Sequence, residues 1–377
     1  MAGIYIHIPF CKEACSYCDF HFSTKLTNKK SVVSAIEKEL ELRSNYIGKE
    51  LVDTIYIGGG TPSLLNEVEL QSIFHAVLHN YNVSENAEIT LEGNPDDLTK
   101  KKLKELKQTP INRLSIGVQS FFEEDLRFMN RAHNAAEAIE SIQNAKEVGF
   151  DSISIDLIFG SQTTTNEMWQ KNLETFFELR INHLSAYSLT IEEKTALAHN
   201  IAKGKVENVD DEKNYTQYLM LQNAIQLQGF EQYELSNYCK NESYSKHNTS
   251  YWQSKNYLGI GPSAHSFDGT SRQWNVRNNS LYLKAIDNKT SYFEKEGLTE
   301  IDRYHEFLIT SLRTKWGINV AELKVLFSPF IVDHFNRKML SINKSTIDLS
   351  NKYLVVKSAY LFQSDDVVRE LMIDFNA

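Results

Sequence analysis

Over roughly the first 190 residues, short apolar runs alternate with amphipathic stretches, and polar or glycine residues close most of the runs. Ile4 to Phe10, Val52 to Ile57, Ala87 to Leu91, Arg113 to Val118, Ser152 to Ile158 and His183 to Leu189 each read as a strand. Helical stretches separate them. In Lys30 to Tyr46, the apolar positions Val33, Ile36, Leu40 and Ile47 recur at helical spacing. Glu67 to Leu78, Thr99 to Gln108, a region carrying Arg131-Ala132-His133-Asn134, and Glu167 to Leu179 complete the alternation. Six strand-plus-helix units predict parallel strands with right-handed crossovers, in an open doubly wound sheet or a barrel. Polar residues and glycines fall repeatedly just after the strands, where barrel proteins place their chemistry. The fold class expected is therefore α/β, a partial (β/α)6 barrel whose last edge is covered by later sequence.

From about residue 196 the pattern loosens. A helix near Asp211 to Leu227 and a strand near Glu231 to Leu235 precede a loop region rich in Tyr, Asn and Ser. That region holds His247-Asn248-Thr249-Ser250-Tyr251-Trp252 and Gly259-Ile260-Gly261-Pro262-Ser263-Ala264-His265. Beyond Glu300 the chain reads as two or three helices, a short strand-rich segment at Tyr353 to Val356 and a final helix. The organisation expected is a barrel core over 1–235, a continuation over 236–300 and a smaller helical or winged-helix-like domain over 301–377.

The 377 residues have ordinary globular composition, and a net charge of −9 gives no support to a broad nucleic-acid surface. No apolar run is long enough to predict a membrane span. The chain enters a strand at once, so no signal peptide is expected. Clustered, reduced cysteines suit a reducing cytoplasm.

Three of the four cysteines, Cys11, Cys15 and Cys18, sit in a C-x3-C-x2-C spacing directly after the first strand; the fourth is Cys239. An iron–sulfur cube has four irons, each wanting a ligand. Three local thiolates leave one iron open to a small molecule. A structural zinc site commonly takes a second Cys or His pair, which is not visible here. A disulfide framework does not suit a long chain with so few cysteines, and buried structural cysteines do not normally cluster on one loop.

Other strand-end residues are weaker signals. Gly58-Gly59-Gly60 lets backbone approach a ligand closely, but lacks the spacing of a dinucleotide site and the Lys of a phosphate loop, and alone it reads better as a tight turn. Glu92 can accept from ribose hydroxyls, or be a solvated carboxylate. Arg131 can fork onto a carboxylate, or be a surface arginine. Gln119 and Asp156 can add polar contacts, or act as local caps. Their shared location at strand ends raises them together.

Tyr5-Ile6-His7-Ile8-Pro9-Phe10-Cys11, the cysteine spacing and Gly58-Gly59-Gly60-Thr61-Pro62 together resemble the radical S-adenosylmethionine (SAM) superfamily. More narrowly they resemble the oxygen-independent coproporphyrinogen III oxidase group. Glu92-Gly93-Asn94-Pro95, Gly117-Val118-Gln119-Ser120, Met129-Asn130-Arg131-Ala132-His133 and Asp156-Leu157-Ile158-Phe159-Gly160 follow in the family's order. The resemblance covers the chain to about residue 270 and, more weakly, the tail. It implies a [4Fe–4S] cluster on Cys11, Cys15 and Cys18, with SAM chelating the open iron through its amino and carboxylate groups. It implies Gly60 and Thr61 at the methionine part of SAM, Glu92 at the ribose and Arg131 at the carboxylate. Gln119 and Asp156 would complete the polar shell, with Tyr5 beside cluster and SAM. Where the family usually continues Leu-Pro-x-Gln-Thr, this chain has Ser161-Gln162-Thr163-Thr164-Thr165, which bears on SAM affinity and not on the cluster.

Two features separate branches of the family. Oxidases carry a further cysteine two residues after the third; here that position is Phe20. The heme chaperone branch has an H-N-x-x-Y-W motif, intact here at His247 to Trp252. His247 is the candidate axial ligand for heme iron, on a loop expected outside the barrel, with Tyr251 and Trp252 packing on a porphyrin face. Alone, the hexapeptide reads more readily as a polar turn with two half-buried aromatics. The resemblance implies a cytoplasmic heme chaperone that hands heme to an acceptor protein, without coproporphyrinogen oxidase activity. No nucleic acid and no membrane span are expected, although the acceptor can itself be membrane-bound. The alternative is a radical enzyme that cleaves SAM and abstracts hydrogen from a porphyrinogen propionate. A purely structural metal-binding protein is the third class, and the ordered strand-end motifs argue against it.

Overall fold

The structure is a computed structural model describing residues 1–350 and 352–374. Six strands alternate with helices: β1 (Ala2–Ile8), α1 (Lys29–Leu42), β2 (Val52–Gly59), α2 (Glu67–Asn80), β3 (Val83–Gly93), α3 (Lys100–Leu106), β4 (Arg113–Gln119), α4 (Glu123–Phe128), α5 (Ala135–Glu147), β5 (Ser152–Phe159), α6 (Asn166–Glu178) and β6 (His183–Ser188). Local sequence sets several helix starts. Asn66 and Asn134 cap α2 and α5 through reciprocal bonds with Glu69 and Glu137. β1 to β6 pair in chain order and all parallel, forming a partial (β/α)6 barrel.

The strands have two faces of opposite chemistry, because successive side chains alternate across a sheet. One face carries Ile4, Ile6, Ile55, Ile57, Ile89, Leu91, Leu114, Ile116, Ile155 and Leu157, packed against Val33, Ile36, Leu40, Ile73, Phe74, Ile142, Leu173 and Phe176 of the helices. The other carries Tyr5, Thr54, Tyr56, Glu88, Glu92, Ser115, Ser154, Asp156, His183 and Ser185. These polar groups bond one another: Tyr56 donates to Glu92 at 2.7 Å, and His183 bonds Ser154 at 2.6 Å. The helix-facing side supplies the core, and the polar side lines the barrel interior.

The remaining elements extend the sheet at both edges, where the sequence predicted cover at one. After α7 (Ala196–Ala202) and α8 (Asp211–Leu227), β7 (Glu231–Gln232) pairs antiparallel with β8 (Asn237–Cys239), which pairs antiparallel with β6. Then α9 (Lys246–Trp252), β9 (Tyr257–Ile260), β10 (His265–Phe267), β11 (Ser271–Asn275), α10 (Asn279–Asn288) and β12 (Phe293–Gly297) follow, in a region read from sequence as loop. β9 pairs parallel with β1, and β10 to β12 continue antiparallel. The glycines of this region permit the pairing. A Cβ on Gly261 would stand 2.5 Å from the His7 carbonyl, and one on Gly259 would overlap the His265 carbonyl. A second correction concerns Arg131, which lies in the loop between α4 and α5 rather than in a helix.

From Glu300 the chain builds a separate core. α11 (Glu300–Leu312), β13 (Ile318–Asn319), α12 (Val320–Leu326), α13 (Pro329–Ser341), β14 (Ile347–Ser350), β15 (Tyr353–Val356) and α14 (Ser364–Leu371) enclose Tyr304, Leu308, Leu312, Ile331, Phe335, Leu354 and Leu371. The three strands form an antiparallel sheet in the order β13-β15-β14, in keeping with a small winged-helix-like unit.

Candidate functional site

The cysteine loop leaves β1 and is held in place by backbone bonds at both ends. The Cys11 amide donates to the Ser23 carbonyl at 3.1 Å, and the Ser16 amide to the Met129 carbonyl at 3.1 Å. Cys11, Cys15 and Cys18 are half-buried free thiols, whereas Cys239 is fully buried on β8. Burial pushes the Cys11 thiol up to about 11 and raises Cys18 as well. Such thiols ionise when a positive centre replaces the lost water, which is what iron supplies. Among the described residues, no three His, Cys, Asp or Glu converge as a single-ion site requires. A cluster asks less of the three thiols, since each holds its own iron.

Beside this loop the strand ends form a shelf. Gly59 adopts φ +112°, and a Cβ there would lie 2.6 Å from the His7 ring; at Gly60 it would lie 2.6 Å from the Phe10 carbonyl. No other residue lets β2 pass so close to β1. Thr61 is buried, and its amide donates to the Phe10 carbonyl at 2.6 Å. Glu92, at the end of β3, accepts from Tyr56 and, at 3.0 Å, from the Gly59 amide. Burial raises the Glu92 carboxyl to about 7 despite those two donors. Tyr5 stacks on Tyr56 with ring centres 6.1 Å apart and shares a 3.0 Å hydrogen bond with His7.

Arg131 joins shelf to cysteine loop. Its guanidinium donates to Cys15 Sγ at 3.2 Å, Asn94 Oδ1 at 2.8 Å and the Gly117 carbonyl at 2.7 Å, while its Nε is buried with no partner among the described residues. Gln119 ends β4 with φ +69°, a conformation that turns the chain sharply out of the strand. Asp156 on β5 is raised to about 6 by burial, with the Ser185 and Ser115 hydroxyls opposing the shift. Gly60, Thr61, Glu92, Gln119 and Arg131 thus gather at one end of the parallel strands, with Tyr5 and Asp156 further inside β1 and β5. The departing loop after Gly160 is anchored: the Thr163 and Thr164 hydroxyls donate to Asp125 at 2.6 and 2.9 Å, and Lys213 Nζ to the Ser161 carbonyl at 2.7 Å. Sequence reading passed over Tyr56 and Asn94. The i, i+2 run Thr54, Tyr56, Gly58 within a strand was the available signal for the first.

His247 does not lie on a loop outside the barrel. It opens α9, which plugs the polar interior: the Lys246 and His247 amides both donate to Glu88 at 3.0 Å. His247 is 1 % exposed, bonded through Nδ1 to Thr54 at 2.8 Å and through Nε2 to Tyr251 at 2.8 Å, and stacked on Tyr56 at 5.0 Å. Burial lowers it to about 3, so it is neutral with both nitrogens engaged. In this arrangement it supports the shelf from below through Tyr56. The other two aromatics of the motif, Tyr251 and Trp252, line a cavity of about 700 Å³ that begins at Tyr5 and His7 and extends toward β10 and β11. Phe20, from the cysteine loop, borders it with 71 % of its surface exposed.

The model of the radical SAM superfamily matches residues 5–176. The heme chaperone HemW of Bacillus subtilis (strain 168) is 34% identical over 322 residues, 85% of this chain and 85% of that protein. HemW of Lactococcus lactis subsp. lactis (strain IL1403) is 32% identical over 356 residues, 92% and 93% of the two chains. The solved coproporphyrinogen III oxidase (HemN) of Escherichia coli, a radical SAM enzyme, superposes with a TM-score of 0.84 over 98% of this chain and 89% of that one. At 21% identity that last likeness speaks to fold alone.

Proposed function

The chain belongs to the radical SAM superfamily and, within it, to the HemW group, and from that premise we propose that it binds heme and passes it to an acceptor protein. The observation that carries this reading is the 34% identity with a heme chaperone across 85% of both chains. Phe20, standing where the resembling oxidases have a cysteine, supports it.

Cys11, Cys15 and Cys18 would hold a [4Fe–4S] cluster. Tyr5, Gly60, Thr61, Glu92, Gln119, Arg131 and Asp156 would hold SAM. The residues fit those groups: a glycine shelf that a Cβ would fill, a buried arginine with an unpartnered Nε, and thiols that need a cation to ionise. When bound, the cluster supplies an open iron for the amino and carboxylate groups of SAM. Around it, Glu92 accepts from hydroxyls and Arg131 fixes the cysteine loop against β4. Three free thiols suit a reducing compartment such as the cytoplasm, and among the described residues no helix is long and apolar enough to cross a membrane.

The test is a paired assay on cluster-loaded protein. Hemin titration should give a saturable Soret band, and coproporphyrinogen III with SAM and reductant should remain unconverted. Robust turnover of that substrate with no saturable hemin binding overturns the reading in favour of an oxidase.

A further inference from the structure

Building on the heme-binding reading, we propose that heme lies in the cavity in front of β1, β9 and β10, that His265 supplies the imidazole to its iron, and that Lys255 meets a propionate. The cavity, about 700 Å³, lies in the upper part of the range for small-molecule sites, which suits a large flat ligand. It is lined by aromatic faces, among them Phe20 and Trp252. A phenyl ring left 71 % exposed beside a cavity lacks a packing partner that a planar macrocycle can provide.

Three histidines line this cavity along with the aromatics, and they differ in availability. His7 has both nitrogens engaged, with Tyr5 at 3.0 Å and the His21 carbonyl at 2.8 Å. His21 spends Nε2 on Asn279 at 2.7 Å. His265 is exposed, and among the described residues neither of its ring nitrogens has a hydrogen-bond partner. Partial desolvation against the cavity wall and the nearby Arg272 lower its proton affinity, which favours the neutral imidazole that binds metals. Its backbone is fixed: Gly259 makes room for the His265 carbonyl, and the cross-strand neighbour Trp274 holds the ring at 6.3 Å. The Gly259 to His265 motif thereby delivers an unpartnered imidazole to the cavity wall.

The cations around the cavity sort in the same way. Arg272 donates to Glu306 and Tyr257, and Arg277 pairs with Asp19. Lys255 has no ion-pair or hydrogen-bond partner among the described residues for its ammonium. A heme propionate supplies one.

The experiment is hemin titration of the full chain, followed by its Soret and charge-transfer bands, for the parent, His265→Ala, His265→Tyr, His247→Gln and Lys255→Gln. Losing an iron ligand should weaken hemin about tenfold or more in His265→Ala and shift the Soret band. His265→Tyr should add the charge-transfer band of a ferric phenolate, which only a side chain reaching the iron can give. Lys255→Gln should weaken binding with the band unmoved, and His247→Gln should leave the band position as in the parent. Unchanged spectra and affinity in both His265 variants, with a shifted band in His247→Gln, overturn the assignment while leaving heme binding intact. A parent protein that shows no saturable hemin binding overturns the underlying function instead.

Discussion

The strand-end shelf and the cavity beside it face the same interior yet are built in opposite ways. On the shelf most polar groups are already committed: Glu92 has two donors, and Arg131 reaches Cys15, Asn94 and Gly117, leaving only its Nε open among these groups. In the cavity wall several groups are uncommitted, with His265 and Lys255 unpartnered among the described residues and Phe20 open to solvent. Prearranged polar groups suit a resident ligand that must be held in one geometry. Groups left waiting suit a cargo, because each gains a partner on loading and loses only that partner on release. One barrel can thus keep a fixed cofactor and a transient ligand apart by how far each side chain is satisfied beforehand.

The contrast is tested most severely at the cysteine loop. Cys15→Ala should take anaerobically reconstituted protein from about four irons per chain to a small fraction of that. Cys239→Ala, on β8 and outside the shelf, should retain the parent's iron. Iron and sulfide analysis of the two variants side by side decides the matter, and equal iron in both removes the shelf's claim to a cluster.

A smaller effect is expected at Glu92. Removing its charged acceptor should weaken SAM by about 1.5–3 kcal/mol, roughly 10- to 150-fold, with the cluster kept. The same group gives the shelf a pH signature. Its carboxyl is raised to about 7 in the folded protein, so ionising it opposes folding as pH rises from the unfolded value through 7. The ionised form is the stronger acceptor for hydroxyls, so SAM affinity should rise toward pH 7 and level off above it. Calorimetric titrations at a series of pH values should show that slope in the parent and not in Glu92→Gln; hemin affinity should not follow it.

At the plug beneath the shelf the expected effect is on folding stability, not ligand affinity. His247 is held at about 3, below its ordinary value, so its contribution to stability is complete above about 6.5 and is lost as pH falls toward 3. The limiting slope is about 1.4 kcal/mol per pH unit. Denaturant unfolding of His247→Gln should be flatter than the parent over that interval, and an identical pH profile would mean His247 is not buried in its neutral form.

The shelf was legible in the sequence because its members close successive strands, so order along the chain equals order in space. The predicted strands begin or end within a few residues of β1 to β6; Glu92 and Gln119 sit where strand ends were expected, and Asp156 lies within the strand expected to carry it. The 196–300 region was not legible in this way. β9 and β10 are only four and three residues long, too short to show alternation, and β9 enters the sheet by pairing with β1 more than two hundred residues earlier. The same brevity hid α9. Seven residues are too few for a helical period to declare itself, so His247 read as part of a loop outside the barrel when Glu88 and Thr54 hold it inside. Arg131 was legible as a residue but not as a loop, because Asn134 begins the next helix just beyond it.

The two-faced strands also bear on how the chain reaches this structure. A one-residue slip of β2 against β1 would turn Ile55 and Ile57 toward the interior and drive Thr54 and Tyr56 against the helices. In a sheet with one solvated face, such a slip forfeits apolar burial only. Here it also strands hydroxyls and carboxylates in an aliphatic layer without donors or acceptors. Both penalties act against the same error, so the lining that serves a ligand in the finished protein also proofreads strand alignment while the barrel assembles.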